Sequence, residues 1–173
     1  MFDHIAKCII SFVGDICPDL GSKYETNTKN LPLGFTFSFP MEQEAINVGK
    51  LKTWTKCYDL KDAVGQDVRK LLQESINRTG NRFNIEIVVI LNDSTGTAVK
   101  GRYIDRNSVA GVILGTGSNS CYVEKVKNIR KWTIKDACFQ GIEEVFVNTE
   151  CGGFGDNGCI DFVKTVFDNK LDK

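Results

Sequence analysis

Apolar residues at Phe2, Ile5, Ala6, Ile9, Ile10 and Val13 recur at helical spacing, which predicts a helix over residues 2–13 with one buried face. Gly14 weakens its end. Residues 18–30 carry Asp19, Gly21, Ser22, Asn27, Thr28 and Asn30 and read as a loop. From Leu33 to Phe39 the chain alternates apolar and small or polar residues and stops at Pro40, the pattern of a strand. Two short extended segments are expected at 45–48 and 50–54. Val68, Leu71, Leu72 and Ile76 share a face, so residues 67–76 are expected to be helical. Residues 85–91 are β-branched and apolar except for Glu86, the composition of a central strand covered on both faces.

After that strand comes Asn92-Asp93-Ser94-Thr95-Gly96-Thr97, where Asp93 or Ser94 is suited to cap a helix running to Tyr103. Residues 109–114 read as another strand, followed by Gly115-Thr116-Gly117-Ser118-Asn119. Further extended segments are expected at 121–126 and 143–148, and a last helix at 159–169. Strands interleaved with helices indicate an α/β domain with a mixed sheet, because 109–126 has the look of a hairpin.

A length of 173 residues suits one ordinary domain. Lys plus Arg and Asp plus Glu are both 22, so no basic excess points to nucleic acid or to an anionic membrane surface. No apolar run approaches the roughly 20 residues of a membrane span. The seven cysteines contain no C-x-x-C pair, which argues against structural zinc. A single histidine, His4, removes histidine clusters as metal sites and makes a histidine general base an unfavoured choice. No metal site is therefore expected, and the thiols read as those of a reduced, cytoplasmic protein.

Four strands end in polar or glycine-rich turns: at Ser38, at Asn92-Asp93, at Gly115 to Asn119, and at Asn148-Thr149-Glu150. Ligands of open α/β sheets bind outside the carboxyl ends of strands. If those ends share an edge, Ser38, Asn92, Asp93, Thr116, Asn119 and Glu150 form a cleft suited to a polyhydroxylated ligand, whose hydroxyls donate and accept. The duller readings are helix capping for Asn92-Asp93, a plain hairpin turn for Gly115 to Ser118, a solvated charge for Lys56, and packing for Trp54 and Trp132. The Gly-Thr-Gly turn has the chemistry of a phosphate cradle but lacks the P-loop pattern.

Taken in order, Leu33-Gly34-Phe35-Thr36-Phe37-Ser38-Phe39-Pro40, Thr53-Trp54-Thr55-Lys56, Leu91-Asn92-Asp93-Ser94-Thr95-Gly96-Thr97, Gly115-Thr116-Gly117-Ser118-Asn119 and Asn148-Thr149-Glu150 resemble the motifs of eukaryotic hexokinases, the glucokinase-like sugar kinases. The resemblance runs over nearly the whole chain. It implies the ribonuclease-H-like, actin-like ATPase fold and ATP-dependent phosphorylation of hexoses such as glucose, with Mg²⁺ accompanying ATP. By position, Asp93 resembles the base that takes the proton from the sugar 6-hydroxyl. Ser38, Thr55, Lys56, Asn92, Asn119 and Glu150 resemble the sugar contacts. Thr116, with Gly115 and Gly117, resembles the element that meets the nucleotide phosphates. A catalytically silent sugar-binding or regulatory module of the same fold, and a thiol-dependent redox protein, are the rival readings.

The chain departs from the family pattern in two places beside these motifs. Cys57 stands where glycine usually follows Thr-Lys, and Cys151 stands where tryptophan usually follows the glutamate. The upstream phosphate loop and the adenosine-binding lobe of the family are not found. The expectation is a small lobe with the start of the large one, which binds sugar weakly and transfers phosphate negligibly.

Overall fold

The computed structural model describes residues 1–16, 18–19, 24, 30–132, 141–155 and 157–171. Most of the expected loop at 18–30 lies outside these. Instead of one domain, the chain forms two compact units, Met1–Gly96 and Thr97–Lys173.

In the first unit, helix α1 (Phe2–Ser11) continues as a π-helical turn, Phe12–Ile16. Its expected face is buried: Ala6 and Val13 enter a core with Leu72, Ile76, Phe83, Ile85 and Ile87, flanked by Phe2, Ile5, Ile9 and Ile10. Strand β1 (Leu31–Thr36) starts before the alternating stretch and ends before Ser38. A hairpin follows, β2 (Met41–Ala45) and β3 (Val48–Leu51). The expected extension at 45–48 is thus the last residue of β2, a two-residue turn and the first residue of β3, and 52–54 lies past the second strand. Helix α2 (Val68–Arg78) is capped by Asp67, whose carboxylate accepts from Arg69 N at 3.1 Å and from Gly49 N at 3.2 Å.

Strand β4 (Ile85–Leu91) pairs in parallel with β1, Leu31 opposite Ile85 and Thr36 opposite Leu91. Its composition predicted cover on both faces, but the burial alternates. Ile85, Ile87 and Ile90 are fully buried, while Val88 is 42% exposed. The far edge of β4 is closed by other elements. Gln73 accepts from Ile87 N at 2.9 Å and donates to Ile85 O at 2.9 Å, and Arg69 donates to Ile87 O at 3.0 Å. Further along, Ile90 N donates to Ile46 O at 2.9 Å and Gln43 donates to Ile90 O at 2.7 Å. These bonds satisfy backbone groups that an open strand edge would leave to solvent or to another chain.

Helix α3 (Asp93–Ile104) begins directly after β4, and the boundary between the units falls within it. The cap is Asn92 and not Asp93 or Ser94: Asn92 Oδ1 accepts from Ser94 N at 3.0 Å and from Ser94 Oγ at 2.8 Å.

The second unit holds an antiparallel sheet in the order β5 (Ala110–Leu114), β6 (Ser118–Lys125), β7 (Glu144–Asn148). Among the described residues the strands form three sheets, two two-stranded and one three-stranded; the expected parallel and antiparallel pairings both occur, in separate sheets. The carboxyl part of α3 packs on the second unit's sheet. A Cβ on Gly111 would lie 2.9 Å from the Ala98 Cα, so only glycine admits the helix backbone there. Arg102 bridges to Glu144 at 2.6 Å. The expected helix at 159–169 does not form. The segment contains a 3₁₀ turn, Asp161–Val163, and a short helix α4, Asp168–Leu171, with Phe162 and Phe167 exposed. With no apolar face covered, that stretch lacks the packing that stabilises short helices.

Candidate active site

In the first unit, the parallel pair brings two predicted segments to one edge. Phe37 N donates to Leu91 O at 2.8 Å, extending the ladder past Thr36. Ser38 and Asn92-Asp93 therefore both leave the carboxyl edge of β1 and β4, the edge where α/β sheets bind ligands. Asn92 is 6% exposed and its oxygen is engaged with Ser94. The Asp93 carboxylate accepts from Ser94 N at 2.8 Å and sits in the first turn of α3, where N-terminal amides accommodate negative charge.

The Thr55-Lys56 segment reaches this edge as well. Lys56 Nζ donates to Ser38 O at 2.9 Å and lies 5.1 Å from the centroid of the Phe39 ring. Thr55 accepts from Tyr58 N at 3.2 Å through its carbonyl, closing a tight turn. Beneath it, Phe37, Phe39, Trp54 and Tyr58 form an aromatic cluster, with Trp54 Nε1 donating to Leu60 O at 2.8 Å. Lys56 and Cys57 both have left-handed backbone angles, φ 57° and 62°.

In the second unit, Gly115, Thr116 and Gly117 form the exposed turn of the β5–β6 hairpin, closed by Gly115 N donating to Gly117 O at 2.9 Å. All three residues are exposed; with the Gly115 amide committed to the turn, the Thr116 hydroxyl and the other backbone amides are donors of the kind that suit phosphate oxygens. Two further predicted residues meet at the sheet's end. Asn119 donates to Asn148 Oδ1 at 2.8 Å, and Asn148 donates to Glu150 Oε1 at 2.7 Å. Glu150 is itself left-handed, φ 49°.

Sequence reasoning assigned no role to Asn148, Thr149 or Ser120. Thr149 Oγ1 donates to Ser120 O at 2.9 Å, and Ser120 Oγ lies 2.9 Å from Thr149 Oγ1 and 3.4 Å from Cys151 Sγ. Bonding from Ser120, and then from Thr149, holds the Cys151 thiol below its ordinary pKa. The polar turn was visible in the sequence, but its partner strand and register were not.

One groove of about 950 Å³ lies elsewhere in the first unit. It is lined by His4, Cys8, Phe12, Leu31 and Leu33 and opens near the amino end of β1, away from the polar edge. Among the described residues, no three His, Cys, Asp or Glu side chains gather in a way that would hold a metal ion. Mg²⁺ arriving with nucleotide phosphates needs only one or two protein carboxylates, so the donor set is compatible with it.

One hexokinase family model matches residues 1–103, and a second matches residues 109–173. The chain belongs to the hexokinase family. It is 43% identical to hexokinase HKDC1 of Homo sapiens and 38% identical to hexokinase-1 of Homo sapiens, across its whole length in both cases. It spans 17% of the length of each of these relatives. A solved hexokinase from Schistosoma mansoni complexed with glucose matches with a TM-score of 0.77 and 31% identity, over 99% of this chain and 35% of that one. A second hexokinase crystal structure matches with a TM-score of 0.60 and 32% identity, over 87% of this chain and 31% of that one. The fold is accordingly the actin-like, ribonuclease-H-like fold of hexokinases. No helix among the described residues is long and apolar enough to cross a membrane.

Proposed function

We propose that this hexokinase-family chain carries the sugar contacts and the proton acceptor of an ATP-dependent hexose kinase, in a small lobe joined to the start of a large one. The observation that carries the reading is the placement of Asn92-Asp93 at the carboxyl edge of β4, beside Ser38 and the Lys56 that bonds to it. Ser38, Thr55, Lys56, Asn92, Asn119 and Glu150 supply donors and acceptors for sugar hydroxyls, glucose being the hexose favoured. Asp93 receives the proton of the sugar 6-hydroxyl as that oxygen becomes the nucleophile. Thr116 and the backbone amides of its turn other than that of Gly115 hold phosphate oxygens. Bound ATP with Mg²⁺ supplies the phosphoryl group and neutralises its charge. The cytoplasm, where ATP and free thiols coexist, is the compartment this chemistry suits.

Ligand-observed NMR with the 173-residue chain tests the sugar arm. Weak glucose binding is expected, with Asp93→Ala retaining most of it, and no binding by the unsubstituted chain refutes the reading. A coupled assay is expected to find negligible glucose-dependent ADP release. Robust release would show that the chain alone is a complete kinase.

Cys57 and Cys151, in place of the family's usual residues beside two sugar contacts, favour a second reading, a silent sugar-binding module. A chain extended to the length of its relatives separates the two. Turnover that Asp93→Ala abolishes supports the kinase, and no turnover in the unsubstituted extended chain supports the silent module.

A further inference from the structure

We propose that Asn148 is a positioning residue that sets the orientation of both Asn119 and Glu150. The proposal rests on the sugar-site reading above. Its basis is a chain of hydrogen bonds whose direction is set at its two ends, by a carboxylate that only accepts and a backbone N–H that only donates. The Glu150 carboxylate only accepts, so the Asn148 group facing it at 2.7 Å is the amide Nδ2. Asn148 Oδ1 then faces Asn119 and accepts from its Nδ2 at 2.8 Å. On its other side Asn119 Oδ1 accepts from Ser120 N at 2.8 Å and lies 3.5 Å from Thr149 Oγ1, so the amide is held from both sides. A carboxamide is the side chain able to accept on one side and donate on the other in this span. Aspartate would keep the acceptor toward Asn119 but set a second carboxylate against Glu150.

The sheet supports this geometry. Asn119 precedes Cys121 by two residues on β6, and Cys121 is the direct cross-strand neighbour of Asn148, so the two asparagines share a face. Thr149 N donates to Ser120 O at 3.0 Å, fixing the register just beyond the strand. The left-handed backbone at Glu150 brings its carboxylate back toward Asn148. Asn148 is exposed, so truncating it opens no hole in the core.

The test uses the 173-residue chain and its N148A and N148D variants. Glucose affinity is read by ligand-observed NMR, the Asn119 side-chain amide by ¹⁵N NMR, and the fold by thermal melting. Both variants should weaken glucose binding about tenfold or more, roughly 1.4 kcal/mol, with unchanged melting. N148A should also shift the Asn119 amide signal, whereas N148D, which keeps that acceptor, should shift it less. Binding that N148A leaves unchanged, or an Asn119 signal that N148A leaves in place, overturns the proposal alone. A loss of affinity that tracks a loss of melting temperature also overturns it, because the role is then structural. No glucose binding by the unsubstituted chain overturns the sugar-site reading and this proposal together.

Discussion

Cys57 is exposed and has φ 62°, directly after Lys56 at φ 57°. An L-residue in the left-handed region loses about 1–2 kcal/mol relative to glycine, and an exposed thiol offers no burial in return. Glycine gives back part of this through its freer unfolded chain. Cys57→Gly should therefore stabilise the chain by up to about 1 kcal/mol in urea denaturation. Cys151 shows the opposite relation between side chain and surroundings. Ser120 and Thr149 bond to its sulfur and favour the thiolate, which is the nucleophile. Its alkylation by iodoacetamide should set in at lower pH than in a Ser120→Ala variant, with mass spectrometry locating the adduct. The identities of these residues were legible in the sequence. Their effects were not, because a backbone angle and a cross-strand hydroxyl belong to the folded chain.

At the scale of elements, helices and strands with a repeating apolar pattern were legible. The face on α1, the helix near 67–76 and the strand at 85–91 all follow from side-chain spacing, and they form where expected within a few residues. The misreadings have a common cause. The pattern at 159–169 has apolar residues, but nothing among the described residues buries Phe162 or Phe167. The hairpin at 41–51 is decided by its attachment to Ile90 and not by its own composition. Contacts between elements carry two predictions. Gly111→Ala places a methyl against the α3 backbone at Ala98 and should destabilise the second unit by about 1–3 kcal/mol in denaturant melts. Asp3 of α1 bonds to Arg78 of α2 at 2.7 Å, and that bond, then one from Ser75, lowers the Asp3 pKa. A lowered carboxyl pKa contributes stability above its unfolded value and loses it as pH falls through the folded one. Asp3→Asn should therefore lower stability at neutral pH, with the difference from the unsubstituted chain shrinking as pH falls below about 4 in urea melts taken across pH.

For the molecule as a whole, burial is uneven. The buried residues of the two clusters of the first unit lie on α1, β3, α2 and β4 and the segments between them, while residues 157–171 are almost entirely exposed. Hydrogen exchange should accordingly be slowest at the Leu72, Ile87 and Ile90 amides and near the unprotected rate across 157–171. Uniform protection along the chain would contradict that distribution of burial. The family was readable from the sequence, because the motifs that carry the resemblance are short runs of neighbouring residues that follow one another along the chain. The apolar periods of α1, α2 and β4 were likewise properties of the sequence, since repetition along a chain is local. Only the tertiary structure decided that Ser38 and Asp93 leave one edge, that side chains of α2 close the side of β4, and that Asn148 lies between Asn119 and Glu150. Each of these depends on strand pairing and register, which join residues distant in sequence through bonds that no local pattern encodes.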